Sequence, residues 1–178
     1  FAPAAEEFFA AGGKGLNVTL PFKSMAAQWV DELDVVASAA GAVNTIVAGS
    51  GCRRGYNTDG VGLTTVLCDN LGRDIAGKSL LPLCAGGAVR GIVRSLLALQ
   101  PRALTVANRT VETAQSLIGE LQSLASSVEI EFRALDATDD DYDVVVNGTS
   151  AGLSGEGAVV VERSVHGAFC YDLVYSAK

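Results

Sequence analysis

The chain has 178 residues, of which 49% are apolar, and this globular composition allows one large domain or two small ones. A net charge of −7 and a pI near 4.6 argue against a nucleic-acid or anionic-membrane partner. Four cysteines without CxxC spacing and a single histidine, His166, disfavour a zinc site, a disulfide framework and a Ser-His-Asp triad. We therefore expect no metal and a reducing cytoplasm. No stretch is apolar for long enough to cross a bilayer.

The first part of the chain predicts a small mixed unit of strands and helices. Its clearest local signal is Ser50-Gly51 between two β-prone runs, which is typical of a hairpin turn. Gly72 marks the stop of the helix that closes the unit. The predicted elements are a strand at 15–20, a helix at 23–30, strands at Val43–Val47 and Arg53–Asn57, and a helix at Gly60–Leu71.

The second part alternates strands with helices after a polar connector, Arg73–Lys78, where we place the domain boundary. The domains are then 1–72 and 73–178. Regular alternation requires right-handed crossovers and a parallel sheet, so we expect an α/β, doubly wound, Rossmann-like domain preceded by part of a smaller α/β domain. The predicted elements are strands at Ser79–Cys84, Ala103–Ala107, 128–134, 143–147 and 168–174, and helices at 87–99 and 110–124.

A glycine-rich turn, Cys84-Ala85-Gly86-Gly87-Ala88-Val89, joins the first of these strands to the helix. The dinucleotide fingerprint has glycine at its first and third positions and glycine or alanine at its sixth, and only the third position matches here. The flanking strand and amphipathic helix favour the assignment nevertheless. Two residues conflict with it: Pro82 removes an N–H from a central strand, and Cys84 puts a side chain where the pyrophosphate approaches.

The second strand ends in Ala107-Asn108-Arg109-Thr110, where an NAD-binding domain carries an acidic residue. A guanidinium group suits a 2′-phosphate because it can bind two phosphate oxygens at once. The alternative is a surface arginine that precedes a helix N-cap at Thr110, and the spacing alone does not separate the two interpretations.

Seven motifs together resemble the shikimate dehydrogenase family in content and order. They are GLNVTLPFK at 15–23, AGAVNT at 40–45, GYNTDGVG at 55–62, AGGA at 85–88, ANRT at 107–110, NGTSAGL at 147–153 and YDLVY at 171–175. The resemblance implies NADPH-dependent reduction of 3-dehydroshikimate to shikimate, a step of aromatic amino-acid biosynthesis. It also implies a cleft between a substrate domain and an NADP-binding domain.

The same resemblance implies that Lys23 and Asp59 are the catalytic residues. Hydride delivery to a ketone builds negative charge on its oxygen, so a cation and proton donor must lie against that oxygen. A lysine ammonium meets both needs, and a neighbouring carboxylate can hold it and share the proton.

Further site residues follow from the matched motifs. Thr19, Asn44 and Tyr175 are implied to bind the substrate, and Thr149 to lie near the nicotinamide. Taken singly, these could be a strand-surface threonine, an asparagine in a turn and a core tyrosine. The residues implied to bind the cofactor are Cys84, Ala85, Gly86, Gly87, Ala88, Asn108, Arg109 and Thr110.

The sequence also departs from the family pattern. The N-terminal serine motif that binds the substrate carboxylate and the C-terminal segment with its glutamine are absent, so we expect the middle of a longer enzyme. Cys84 replaces a usual glycine, and Glu112 and Thr113 occupy the place of a usual arginine. The alternatives are an NAD-using quinate/shikimate dehydrogenase and a non-catalytic nucleotide-binding module. We expect a monomer or homodimer.

Overall fold

A computed structural model describes residues 1–84, 86–110, 121, 127–138, 141–149 and 165–173 of the chain. Within these ranges, no helix has the length and apolar character needed to span a membrane. The strands form two separate sheets, one of four strands and one of five.

The smaller sheet contains the strands β1 (Gly15–Asn17), β2 (Glu32–Leu33), β3 (Thr45–Gly49) and β4 (Cys52–Tyr56). Their order in the sheet is β1-β3-β4-β2. The predicted hairpin is confirmed: β3 and β4 pair antiparallel up to Gly49 and Cys52, and both residues between them have positive φ, 53° at Ser50 and 76° at Gly51. The helices of this unit are α1 (Ala2–Ala10), α2 (Lys23–Trp29) and α3 (Val35–Ala40).

Three of these elements were not predicted: α1, β2 and α3. The helix α3 begins after Asp34, whose carboxylate accepts a hydrogen bond from the Ala37 N–H at 2.7 Å, and this is an ordinary N-cap. The predicted strand 15–20 is shorter than expected, since pairing ends at Asn17. The buried core of this unit consists of Val18, Ala26, Ala37, Val43 and Ile46.

The larger sheet contains the strands β5 (Ser79–Leu83), β6 (Ala103–Asn108), β7 (Glu129–Ala134), β8 (Val144–Asn147) and β9 (Phe169–Asp172). Their order is β7-β6-β5-β8-β9 and every neighbouring pair is parallel, which confirms the predicted doubly wound fold. The helix α5 (Gly87–Ala98) packs its apolar stripe against one face of the sheet. Most of the predicted helix 110–124 lies outside the described residues.

Pro82 lies in the central strand β5, as expected, but interrupts only one of its two ladders. Pairing with β8 runs unbroken from Leu80 to Leu83, whereas pairing with β6 skips Leu81 and Pro82. The Cys84 N–H donates to Ala107 O on β6, and N–H groups two residues apart point the same way, so the missing N–H of Pro82 faces β6. The expectation of a broken ladder therefore holds on one side, and the strand persists.

A helical segment connects the two sheets. It starts as α4 (Asp59–Thr64) and continues as a π-helical turn (Thr65–Asn70), where a single α-helix was predicted. Leu63 and Leu67 from this segment are buried in the core of the larger sheet. The residue at the start of α4 is therefore held close to both halves of the molecule.

Candidate active site

Lys23, the first residue of α2, forms an ion pair with Asp59, the first residue of α4. Its Nζ lies 2.7 Å from Asp59 Oδ2, and the two side chains are 13% and 21% exposed. Because both groups are largely shielded from water, their attraction is screened less than that of a surface pair. The structure thus brings together the two residues assigned to catalysis by the resemblance.

Asn44 holds the other oxygen of the same carboxylate. Its Nδ2 donates to Asp59 Oδ1 at 2.9 Å and to Thr58 Oγ1 at 3.0 Å, and its Oδ1 accepts from the Thr58 N–H at 3.1 Å. Both oxygens of Asp59 therefore have a donor, and the carboxylate has one favoured orientation. Thr58 was not singled out in the sequence, and only its place in the same short motif indicates it.

Asn57 connects the backbone of this motif to the preceding loop. Its Oδ1 accepts from the Asp59 N–H and its Nδ2 donates to Ala42 O, each at 3.0 Å. The neighbouring Val43 N–H donates to Lys23 O at 2.9 Å. The three segments that carry Lys23, Asn44 and Asp59 are thus joined through both backbone and side chains.

A cleft of about 350 Å³ opens beside the ion pair. One wall comes from the loop before α2 and from the helical segment that begins at Asp59, and the other comes from the end of β9 in the larger sheet. The lining residues are Thr19, Leu20, Lys23, Thr58, Asp59, Gly62, Leu63, Val66, Tyr171, Asp172 and Leu173.

Side chains at the carboxyl ends of β8 and β9 form a second hydrogen-bonded group near this cleft. Asn147 Nδ2 donates to Asp172 Oδ2 at 3.1 Å, and Asn147 Oδ1 accepts from the Thr149 N–H at 3.0 Å and from its hydroxyl at 2.7 Å. Thr149 is therefore fixed next to the sheet edge at which ligands of doubly wound folds bind. Asp172, which lines the cleft, was not predicted.

The glycine-rich turn follows β5 at the same sheet edge. Cys84 has φ of +90°, a conformation that favours glycine, and its Sγ accepts a hydrogen bond from the Gly86 N–H at 3.3 Å. Gly87 and Ala88 begin the 12-residue helix α5, whereas Ala85 lies outside the described residues. Backbone N–H groups at such a helix start fit a phosphate group. The Cys84 thiol already accepts a hydrogen bond from one of these groups, the Gly86 N–H.

The corner after β6 lies beside this turn, since Leu83 and Ala107 are paired neighbours at the ends of their strands. Asn108 Nδ2 donates to Thr110 O at 2.9 Å, which closes the corner. Arg109 is exposed there. A guanidinium next to a helix start is the donor set that a 2′-phosphorylated dinucleotide requires, so these residues fit NADP.

Comparisons with known proteins agree with this geometry. The family model described as shikimate dehydrogenase substrate binding domain matches residues 1–46, and the model described as shikimate / quinate 5-dehydrogenase matches residues 66–167. The chain belongs to the shikimate/quinate 5-dehydrogenase family. The resemblance inferred from the seven motifs is thereby confirmed.

Among similar proteins, the shikimate dehydrogenase (NADP(+)) of Halorhodospira halophila is 47% identical over 99% of this chain and 64% of its own length. The crystal structure of an Ael1 enzyme from Pseudomonas putida superposes with a TM-score of 0.87 at 34% identity, covering 99% of this chain and 64% of that one. A quinate dehydrogenase from Corynebacterium glutamicum in complex with NAD gives 0.80 at 25% identity, covering 97% and 63%. The chain spans about 64% of the length of the curated relatives it matches.

The predicted site residues of this family member lie partly outside the described part of the chain. These are Tyr175, Ala85 and the side chain of Ala88. Thr19 lines the cleft, whereas Asn44 turns its amide to Asp59 and Thr58. Among the described residues, no group of three or more His, Cys, Asp or Glu side chains could hold a metal ion.

Proposed function

We propose that the protein is an oxidoreductase that reduces 3-dehydroshikimate to shikimate with NADPH, in the cytoplasm. One observation carries the proposal: the Lys23–Asp59 ion pair lines a cleft whose far wall belongs to a dinucleotide-type sheet. A cation with an attached carboxylate suits the reduction of a ketone, because negative charge develops on the ketone oxygen. The names of the relatives support the same reaction class.

In this proposal Lys23 lies against the ketone oxygen and Asp59 orients Lys23. NADPH, when bound, supplies the hydride. The Lys23 ammonium donates a hydrogen bond to the oxygen and then a proton, which is general acid catalysis by a positioned group. Asp59 holds the Lys23 ammonium at 2.7 Å, and after the transfer it can take a proton from water and pass it to the Lys23 amine, which restores the ammonium. Asn44 keeps the carboxylate from rotating away.

We assign the remaining site residues to substrate and cofactor. Thr19 on the cleft wall, together with Asn44 and Tyr175, would bind the hydroxyl groups of a small polar substrate. The turn from Cys84 to Ala88 would receive the pyrophosphate at the start of α5, and Thr149 would lie near the nicotinamide. The substrate-binding part is residues 1–72 and the NADP-binding part residues 73–178.

At the corner after β6, Arg109 would bind the 2′-phosphate, with Asn108 and Thr110 shaping the backbone around it. This is the feature that favours NADPH over NADH, because NADH lacks that phosphate. The structural likeness to a quinate dehydrogenase in complex with NAD makes an NAD-using quinate/shikimate dehydrogenase the second candidate.

A four-way assay tests the proposal. The protein is incubated with 3-dehydroshikimate or 3-dehydroquinate, each with NADPH or NADH, and oxidation of the nicotinamide is followed by absorbance. We expect the highest kcat/KM for 3-dehydroshikimate with NADPH. Preference for 3-dehydroquinate and NADH would favour the quinate enzyme. Nucleotide binding without turnover of either substrate would indicate the non-catalytic module.

A further inference from the structure

The helices α4 and α5 meet at Gly60 of α4, which faces the backbone of Gly91 and the side chain of Ser95 on α5. A Cβ placed on Gly60 would lie 2.2 Å from Ser95 Oγ and 2.7 Å from Gly91 O. Real Cβ atoms do not approach a backbone oxygen so closely, so even the smallest side chain at Gly60 must push the helices apart. The contact joins the helix that starts with Asp59 to the helix that follows the glycine-rich turn.

On the α5 side of this contact, Gly91 packs against the side chain of Asn57. A Cβ placed on Gly91 would lie 2.9 Å from both the Nδ2 and the Oδ1 of Asn57. The Asn57 side chain is 3% exposed, and its two polar atoms bond Ala42 O and the Asp59 N–H. Buried amides of this kind hold their orientation, because losing either partner would leave an unsatisfied polar group.

We propose that Asn57 is a positioning residue and that Asn57, Gly60 and Gly91 form a glycine joint that aligns Asp59 and Lys23 with the cofactor turn. The proposal rests on the proposed function, since it gives the joint a task in hydride transfer. Asn57 does not line the cleft, so it acts through Asp59, whose N–H it binds.

The distances explain why such a joint matters. Gly91 lies four residues after Gly87, the start of α5, which at about 1.5 Å per residue is about 6 Å along the helix. A shift at the joint therefore moves the end of α5 that carries the cofactor turn relative to Lys23. Misplacing reacting groups by 1 Å can slow a reaction by roughly 100-fold.

The experiment compares glycine substitutions inside and outside the joint in the full chain. Gly91→Ala and Gly60→Ala should each lower kcat by roughly 10- to 100-fold while both KM values stay within about three-fold. The isotope effect on kcat with NADPH deuterated at the transferred position should rise, because hydride transfer becomes slower than the other steps. Adding Ser95→Gly to Gly60→Ala removes the nearest clash and should restore part of kcat.

Two control variants separate alignment from general destabilisation. Gly13→Ala places a Cβ 2.3 Å from Phe8 Cε1 in the segment before β1, outside the joint, and Gly49→Ala meets nothing within 4 Å. Both should retain the parent's kcat per folded molecule and its isotope effect. Unchanged kcat in both joint variants, or the same fall in kcat in Gly13→Ala, would overturn the proposal.

Amide hydrogen exchange at Asp59 tests the joint without any turnover. Gly91→Ala should speed exchange of the Asp59 N–H by at least about ten-fold relative to Gly13→Ala, because the Asn57 acceptor is displaced. An inactive parent with this selective acceleration would refute the proposed function and leave the joint standing. Equal exchange in the two variants would refute the joint.

Discussion

The Lys23–Asp59 pair and the glycine-rich turn are held in their conformations in different ways. Around Asp59, Lys23 and Asn44 from two distant segments donate to the two carboxylate oxygens, and the neighbouring Asn57 accepts from the Asp59 N–H. At the turn, Cys84 adopts a positive φ and its own thiol accepts a hydrogen bond from the Gly86 N–H. The first region is preorganised by contacts distant in sequence, whereas the second is shaped locally and carries backbone strain. Substitutions should therefore change the rate in the first region and cofactor affinity in the second.

The largest expected effect is that of Lys23→Ala. Removing the proton donor should lower kcat by about 100- to 10 000-fold with little change in KM, because the contact strengthens as charge develops on the oxygen. Steady-state kinetics with 3-dehydroshikimate and NADPH measures it. The matched control is Lys14→Ala, an exposed lysine before β1, which should behave as the parent. A Lys23→Ala kcat within a few-fold of the parent's would contradict the assignment.

In the second region, Arg109→Ala should weaken NADPH binding by roughly 10- to 100-fold and leave NADH binding nearly unchanged. A charge-assisted contact is worth about 1.5–3 kcal/mol, and only NADPH has the phosphate that makes it. Fluorescence titration with each cofactor measures the difference. Arg54→Ala, which removes an exposed arginine of the smaller sheet, is the charge-matched control. Equal losses for both cofactors would show that Arg109 does not contact the 2′-phosphate.

A smaller effect is expected at Cys84. Cys84→Gly removes the strain of a positive φ, which typically amounts to about 1–3 kcal/mol, so the free energy of unfolding should rise and NADPH should bind several-fold more tightly. Cys84→Ala keeps the Cβ but loses the thiol that accepts from Gly86, and it separates strain from that hydrogen bond. Denaturant unfolding and NADPH titration follow both variants. Weaker NADPH binding in the glycine variant would mean that the turn depends on the cysteine.

The smallest expected effect is a pH dependence of the free energy of unfolding, which arises at the Arg53–Asp31 ion pair. Arg53 donates to both carboxylate oxygens of Asp31, at 2.9 and 2.8 Å, and lowers the pKa of Asp31 to about 2. A lowered folded pKa stabilises the protein above the unfolded pKa, and this contribution is lost as the pH falls from about 4 towards 2. The stability difference between parent and Asp31→Asn should shrink over that window in urea unfolding. The same comparison in an Arg53→Ala background should lose this trend, because the donor to Asp31 is gone.

Much of the fold follows from local patterns in the sequence. The hairpin at Ser50-Gly51 and the alternating strands after residue 78 were predicted because turn chemistry and periodicity act over a few residues. The two-residue strand β2 was missed because it is too short to show a period. The π-helical turn after Thr64 was also missed, since nothing in its composition distinguishes it from a continuing α-helix.

The site was predictable only in part. Lys23 and Asp59 are 36 residues apart, and their pairing came from the family resemblance, because no local rule joins them. The sequence contains Gly60 and Gly91, but a helical glycine does not reveal what packs against it. The partners of Asn57 depend on tertiary packing in the same way.

A double-mutant cycle on Lys23 and Asp59 tests the central claim most directly. Single-turnover rates with saturating 3-dehydroshikimate and NADPH are measured for Lys23→Ala, Asp59→Asn and the double variant. Since the two residues act as one hydrogen-bonded unit, the double variant should be no more than a few-fold slower than the slower single variant. Losses that multiply would show two independent contributions and contradict the account.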